Sequence, residues 1–163
     1  MVAMDTAVIF SILSNVYDPE IPVLSIVDLG ILRNVHWVDE QLVVTITPTY
    51  SGCPATLTFE SDILKILAER GYRNVKVISQ ISPAWTTAWM TDEGRKKLKQ
   101  YGIAPPVEST MDKSVLFSDK KSVACPRCNS HDTKLLSQFG STACKSLYQC
   151  NTCLEPFDYF KCH

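Results

Sequence analysis

The sequence predicts an α+β fold, a small α-β-β-α-β sandwich followed by a compact module folded around a metal. Three observations carry that expectation. Hydrophobic spacing alternates between helical and strand periods through the first 81 residues. Six of the seven cysteines crowd into the last 39 residues, as Cys125, Cys128, Cys144, Cys150, Cys153 and Cys162. Between these regions, residues 103–122 have neither period and contain Pro105-Pro106. The expected division is a domain at 1–102, a linker at 103–122 and a tail module at 123–163.

Val8, Ile12, Leu13 and Val16 lie on one helical face, which predicts a first helix over residues 5–16. Asp18-Pro19 and Ile21-Pro22 then prevent continuation and favour an extended, turning segment. Residues 31–38 and 41–47 alternate and are rich in branched and aromatic side chains, so they predict a hairpin turning at Asp39-Glu40. A second helix is expected from Pro54 to about Arg70, with Leu57, Phe59, Ile63, Leu64, Ile66 and Leu67 inward and Gly71 closing it. A third strand follows at 74–81, and the helices should cover one face of the sheet. Trp85 and Trp89, four residues apart, precede a short helix with Thr91 as N-cap and Tyr101-Gly102 at its end.

Cys125-Pro126-Arg127-Cys128 and Cys150-Asn151-Thr152-Cys153 are separated by 21 residues. Each pair offers two sulfurs from one tight turn, and two turns complete a tetrahedron. The spacing therefore predicts a zinc ribbon with a structural Zn2+; iron also accepts four thiolates, and spacing does not separate the two ions. About 40 residues are too few for an ample apolar core, which is why a metal staple is expected. Cys144 and Cys162 are surplus to one tetrahedron, either as small buried side chains or as a second ligand set. His131 and His163 read as surface histidines.

Cys53 stands alone in Thr49-Tyr50-Ser51-Gly52-Cys53-Pro54. Proline favours the first helical position, which puts Cys53 at or beside the N-cap. The amides and dipole there would favour the thiolate and lower its pKa. The competing reading is a core cysteine plugging the helix end. Asp18-Pro19-Glu20-Ile21-Pro22-Val23 holds two carboxylates in a turn stiffened by prolines. Those carboxylates become an iron-site partner if the turn faces Cys53.

A net charge of −1 gives no broad field for nucleic acid or an anionic membrane. Residues 121–163 hold five basic residues (Lys121, Arg127, Lys134, Lys145, Lys161) against three acids (Asp132, Glu155, Asp158), no phosphate-tracking stripe. No apolar run reaches bilayer length and no export signal is visible, so a cytoplasmic protein with metal-ligating cysteines is expected. Catalytic signatures are missing too. The chain has no Gly-rich phosphate loop, no HExxH and no supported Ser-His-Asp set.

Asp18-Pro19-Glu20-Ile21-Pro22-Val23, Asp28-Leu29-Gly30 and Thr49-Tyr50-Ser51-Gly52-Cys53-Pro54-Ala55 resemble the SufT-like family of iron–sulfur cluster assembly domains, over roughly residues 5–102. With Pro83-Ala84-Trp85-Thr86-Thr87-Ala88-Trp89-Met90 and the ribbon ending at Cys162, the whole chain resembles the D-subunit family of bacterial phenylacetyl-CoA epoxidase systems. The resemblance implies a non-catalytic accessory of a multicomponent di-iron monooxygenase. It would assist insertion or repair of the iron–sulfur cluster in the reductase subunit, or of the oxygenase metal centre. The family's acid and cysteine map to Asp18 and Cys53, with Glu20 carried as part of the same turn. Cys125, Cys128, Cys150 and Cys153 map to the zinc knuckles.

A transient cluster on one thiol needs further ligands, from Asp18, a small thiol or a second copy, so a homodimer is compatible. The alternative is a structural subunit docked permanently on the epoxidase, with the Trp pair and tail aromatics as interface and Cys53 inert. The third class, nucleic-acid binding through the ribbon, lacks the charge it needs.

Overall fold

The computed structural model describes residues 5–107 and 122–161. Cys162, His163 and most of the expected linker lie outside them. The chain divides into two compact units, residues 1–94 and 95–163.

In the first unit, α1 (Thr6–Leu13) starts at Asp5, whose carboxylate accepts the Ala7 N–H at 2.9 Å. Strands β1 (Leu32–Val38) and β2 (Gln41–Ile46) form the expected antiparallel hairpin, with Asp39 at φ +52° in its turn. Helix α2 (Ala55–Glu69) then crosses to β3 (Val75–Ser79), which pairs parallel with β2. The order is β1-β2-β3, so β2 is central. Its Leu42, Val44 and Ile46 are fully buried, and so are Phe59, Ile63 and Leu67 of α2 and Ile9 and Leu13 of α1. Burying each such side chain contributes roughly 1.5–3 kcal/mol.

The inward faces differ from the expected ones by small rotations. Val8 of α1 is exposed and Ile9 takes its place; on α2, Leu57 and Leu64 point to solvent. Helical spacing alone leaves a wide arc open, and contact with the sheet chooses which part of it is covered.

Between α1 and β1 the chain makes no regular element beyond one bridge, Tyr17 with Ser25, yet Ile21, Leu24, Ile26, Leu29 and Ile31 are all buried. Its backbone is satisfied internally: Asp18 N–H donates to the Leu24 carbonyl at 2.8 Å and Ile26 N–H to Val16 at 2.9 Å. Gly30 sits at φ +70°, and a Cβ there would stand 2.2 Å from the Trp89 carbonyl oxygen. Trp85 is buried, and its indole N–H donates to the Leu29 carbonyl at 2.8 Å. Trp89, in the short 3-10 turn Thr87–Trp89, is partly covered by the Arg33 guanidinium, 3.6 Å from the ring centroid. The tryptophans therefore clamp the Asp28-Leu29-Gly30 turn and do not form an outward-facing pair.

Helix α3 (Asp92–Tyr101) is capped by Thr91, whose hydroxyl accepts the Gly94 N–H at 3.0 Å. In the second unit, β4 (Ile103–Ala104) falls in the segment expected to be linker and pairs parallel with β7. The sheet order is β4-β7-β6-β5, with β5 (Thr133–Ser137), β6 (Lys145–Cys150) and β7 (Pro156–Phe160) antiparallel. A two-residue strand has no readable period, so only its partner reveals it.

Candidate functional site

The two Cys-x-x-Cys turns fold alike. The N–H of each first cysteine donates five residues ahead, Cys125 to the Ser130 carbonyl at 2.9 Å and Cys150 to Glu155 at 3.0 Å. The residue after each pair is left-handed, Asn129 at φ +60° and Leu154 at φ +63°. A 2.7 Å contact between the Ser130 and Thr152 hydroxyls ties the turns together.

All four sulfurs lie within 4.8 Å of one another. Cys125 and Cys153 are 3.7 Å apart and Cys128 and Cys150 3.5 Å. Zinc–sulfur bonds of about 2.3 Å in a tetrahedron imply edges of about 3.8 Å, so the set fits one ion. Cys125 and Cys150 are buried beside Phe157, Tyr159 and Tyr148, while Cys128 and Cys153 face outward. Tyr148 stacks on Phe157 at 5.9 Å and meets Tyr159 edge-on at 5.6 Å. Phe160 is buried but lies outside that cluster, because it is on the other side of β7.

Electrostatics make the same point. The Cys153 backbone N–H leads in lowering the Cys150 thiol to about 6. At Cys128 the Ser130 N–H favours the thiolate, but burial and the sulfurs of Cys150, Cys153 and Cys125 outweigh it and push the thiol up to about 12. Four thiolates this close need a cation among them.

In the first unit, a turn closed by Cys53 N–H to the Tyr50 carbonyl at 3.3 Å leads into α2, with Gly52 at φ +80°. Pro54 takes the N-cap at φ −65°, ψ −23°, and Cys53 stands just before it. The Ala55 N–H and the Tyr50 side chain both hydrogen-bond to the half-buried Cys53 sulfur. The Asp18 carboxylate accepts the Glu20 N–H at 2.7 Å and the Ile21 N–H at 3.1 Å, fixing the Asp-Pro-Glu turn. The charges of Glu20 and then Asp18 bear on the Cys53 thiol, the two smallest of the five influences on it.

The expectation of a lowered Cys53 pKa is overturned. Burial, the largest effect, raises it; Ala55 and Tyr50 pull it down, and the charges of Glu20 and then Asp18 raise it further. Helix-end amides are visible in sequence, whereas burial and remote carboxylates are not. Sequence reasoning also passed over Tyr50, although its place at the first position of the turn that ends on Cys53 was a usable signal.

Of the surplus cysteines, Cys144 is buried, 3.1 Å from the Thr142 hydroxyl and outside the four-sulfur cluster. The Ser122 hydroxyl and His131 Nδ1 are 2.9 Å apart. Among the described residues, no helix is long and apolar enough to cross a membrane.

Two family matches define the class: an iron–sulfur cluster assembly domain followed by a zinc ribbon. Residues 6–77 match the family described as iron-sulfur cluster assembly protein, and residues 109–161 match the PaaD zinc beta ribbon domain. A relative from Escherichia coli (strain K12), named as the proposed D-subunit of 1,2-phenylacetyl-CoA epoxidase, is 50% identical over 94% of this chain and 91% of its own length. The chain belongs to that D-subunit family of phenylacetyl-CoA epoxidases. An Fe-S protein maturation auxiliary factor from Porphyromonas gingivalis (strain ATCC BAA-308 / W83) is 36% identical over 55% of this chain and 87% of its own. A crystal structure of a domain of unknown function from Bacillus anthracis has a TM-score of 0.53, at 27% identity over 56% of this chain and 89% of that one.

Proposed function

We propose that this protein is an accessory maturation factor of a phenylacetyl-CoA epoxidase system, handing iron or an iron–sulfur unit to the reductase or oxygenase component. The names of the Escherichia coli and Porphyromonas gingivalis relatives support the setting. The observation that carries the reading is that the charges of Glu20 and Asp18 both bear on the Cys53 thiol.

That negative field disfavours a bare thiolate and favours a cation. Ferrous iron, as cargo, would be drawn by the two carboxylates and would displace the Cys53 proton to water, leaving a sulfur–iron bond. Release reverses the exchange once a client offers more thiolates. The half-exposed sulfur and incomplete ligand set suit a transient site, whereas the ribbon's closed tetrahedron suits a structural zinc.

The docked-subunit alternative loses its expected interface, since Trp85, Phe157, Tyr159 and Phe160 are buried and Trp89 lies under Arg33.

The test is Cys53→Ser in cells that express the whole system. The variant should fold normally while the reductase is recovered with reduced iron and sulfide; full occupancy would remove Cys53 from the mechanism. Elemental analysis and a visible spectrum of anaerobically purified protein address the ribbon: one zinc and no charge-transfer bands are expected.

A further inference from the structure

Lys145 opens β6 and is only 5% exposed. A buried ammonium ordinarily sits beside an anion, because losing water without a counter-charge is unfavourable. Among the described residues Lys145 has no carboxylate partner; its Nζ donates to the Ser141 hydroxyl at 3.3 Å, a neutral group. Lys161 approaches the same loop from beyond β7. Its Nζ donates to the Gln138 carbonyl and stands 4.3 Å from the Phe139 ring centroid, again with no carboxylate partner among the described residues.

The loop joining β5 to β6 therefore gathers two ammonium groups that make no ion pair among the described residues. Gly140 N–H donates to the Lys145 carbonyl at 2.8 Å and Lys145 N–H to Thr142 at 3.2 Å, holding the loop closed. The backbone N–H groups of Ser141 and Thr142 make no hydrogen bond among the described residues. Ser141 is exposed, so the buried ammonium is one hydroxyl away from solvent. Asp158 is the acid to weigh against this: its Oδ1 lies 2.8 Å from where a Gly140 Cβ would stand, yet it makes no ion pair with either lysine among the described residues. The charge balance of Lys145, Lys161 and Asp158 is positive.

We infer that the Gly140–Thr142 loop, with Lys145 and Lys161, is a binding site for a phosphoryl oxyanion. A tetrahedral anion can accept from two ammonium groups, a hydroxyl and the loop amides at once, which is how anion-binding backbone nests operate. Two sources share this chemistry, inorganic phosphate and a phosphate ester on a nucleotide. The site is independent of Cys53.

The test uses full-length, zinc-loaded protein in proton–nitrogen NMR titrations with sodium phosphate and, separately, ADP, at ionic strength held constant with chloride. Saturable shifts centred on the Gly140, Ser141 and Thr142 amides are expected. Lys161→Gln and Lys145→Met should each weaken the affinity about tenfold, the scale of a charge-assisted hydrogen bond. Tighter saturation by ADP would assign the ester; equal or weaker saturation would assign free phosphate. If Lys145→Met fails to fold, the more exposed Lys161→Gln decides alone. The inference is overturned if neither probe gives saturable shifts, if chloride alone reproduces them, or if Lys161→Gln leaves them unchanged.

Discussion

Replacing Cys128 by serine asks how much of the tail's stability is metal binding. Its sulfur is exposed, so the change leaves no buried cavity and little besides ligation is lost. The second unit's apolar cluster around the site is small, made of Ala104, Val123, Cys125, Tyr148, Cys150, Phe157 and Tyr159. Two of those seven, Cys125 and Cys150, belong to the four-sulfur cluster. Structural zinc sites supply about 10–16 kcal/mol of apparent binding free energy, so an even division gives about 2.5–4 kcal/mol for each thiolate. A module this small has only a few kcal/mol to lose. Cys128→Ser should therefore lose stoichiometric zinc and unfold the ribbon near 37 °C. Signals from β1, β2 and α2 should stay dispersed. Zinc content and NMR spectra read both effects, and Cys144→Ser, outside the cluster, is the control for removing a tail thiol. A Cys128→Ser protein that keeps one zinc and melts like the parent would refute the closed tetrathiolate reading.

The first unit has expected outcomes of its own. Cys53 should react slowly with iodoacetamide at pH 7 and faster as pH rises, because its raised pKa keeps the thiol protonated at neutrality. Glu20→Gln removes one of the charges that raise it, so alkylation at pH 8 should speed up; an unchanged rate would detach the turn from the thiol. Gly30→Ala should cost more than about 3 kcal/mol in urea unfolding, since left-handed strain of about 1 kcal/mol adds to a 2.2 Å clash with Trp89 backbone. Trp85→Phe leaves the Leu29 carbonyl without its indole donor and should cost about 1–3 kcal/mol by the same measurement.

Much of this architecture was legible along the chain because its determinants are local. Alternation places the β1–β2 hairpin, and Thr91 caps α3 as a threonine before two acids does. The paired cysteine turns announce a shared ion before any distance is known. The inward arcs were less legible: Val8, Leu57 and Leu64 satisfy helical spacing but face solvent. The packed course of residues 16–31 has no period to read, because its backbone closes on itself through irregular turns, as from Asp18 to Leu24 and from Ile26 to Val16.

The sequence by itself determined that the tail carries two Cys-x-x-Cys turns and that a lone thiol precedes a helix, since each depends on residues a few positions apart. Only the tertiary structure decided the state of that thiol. Burial and the carboxylates of Glu20 and Asp18, more than 30 residues upstream, reverse the shift that helix-end amides alone would cause. It also decided that the tryptophans clamp a glycine turn and that Lys145 lies buried without a counter-ion among the described residues. The reason is the same in each case: desolvation and long-range charge depend on what the rest of the chain places nearby, which spacing does not encode.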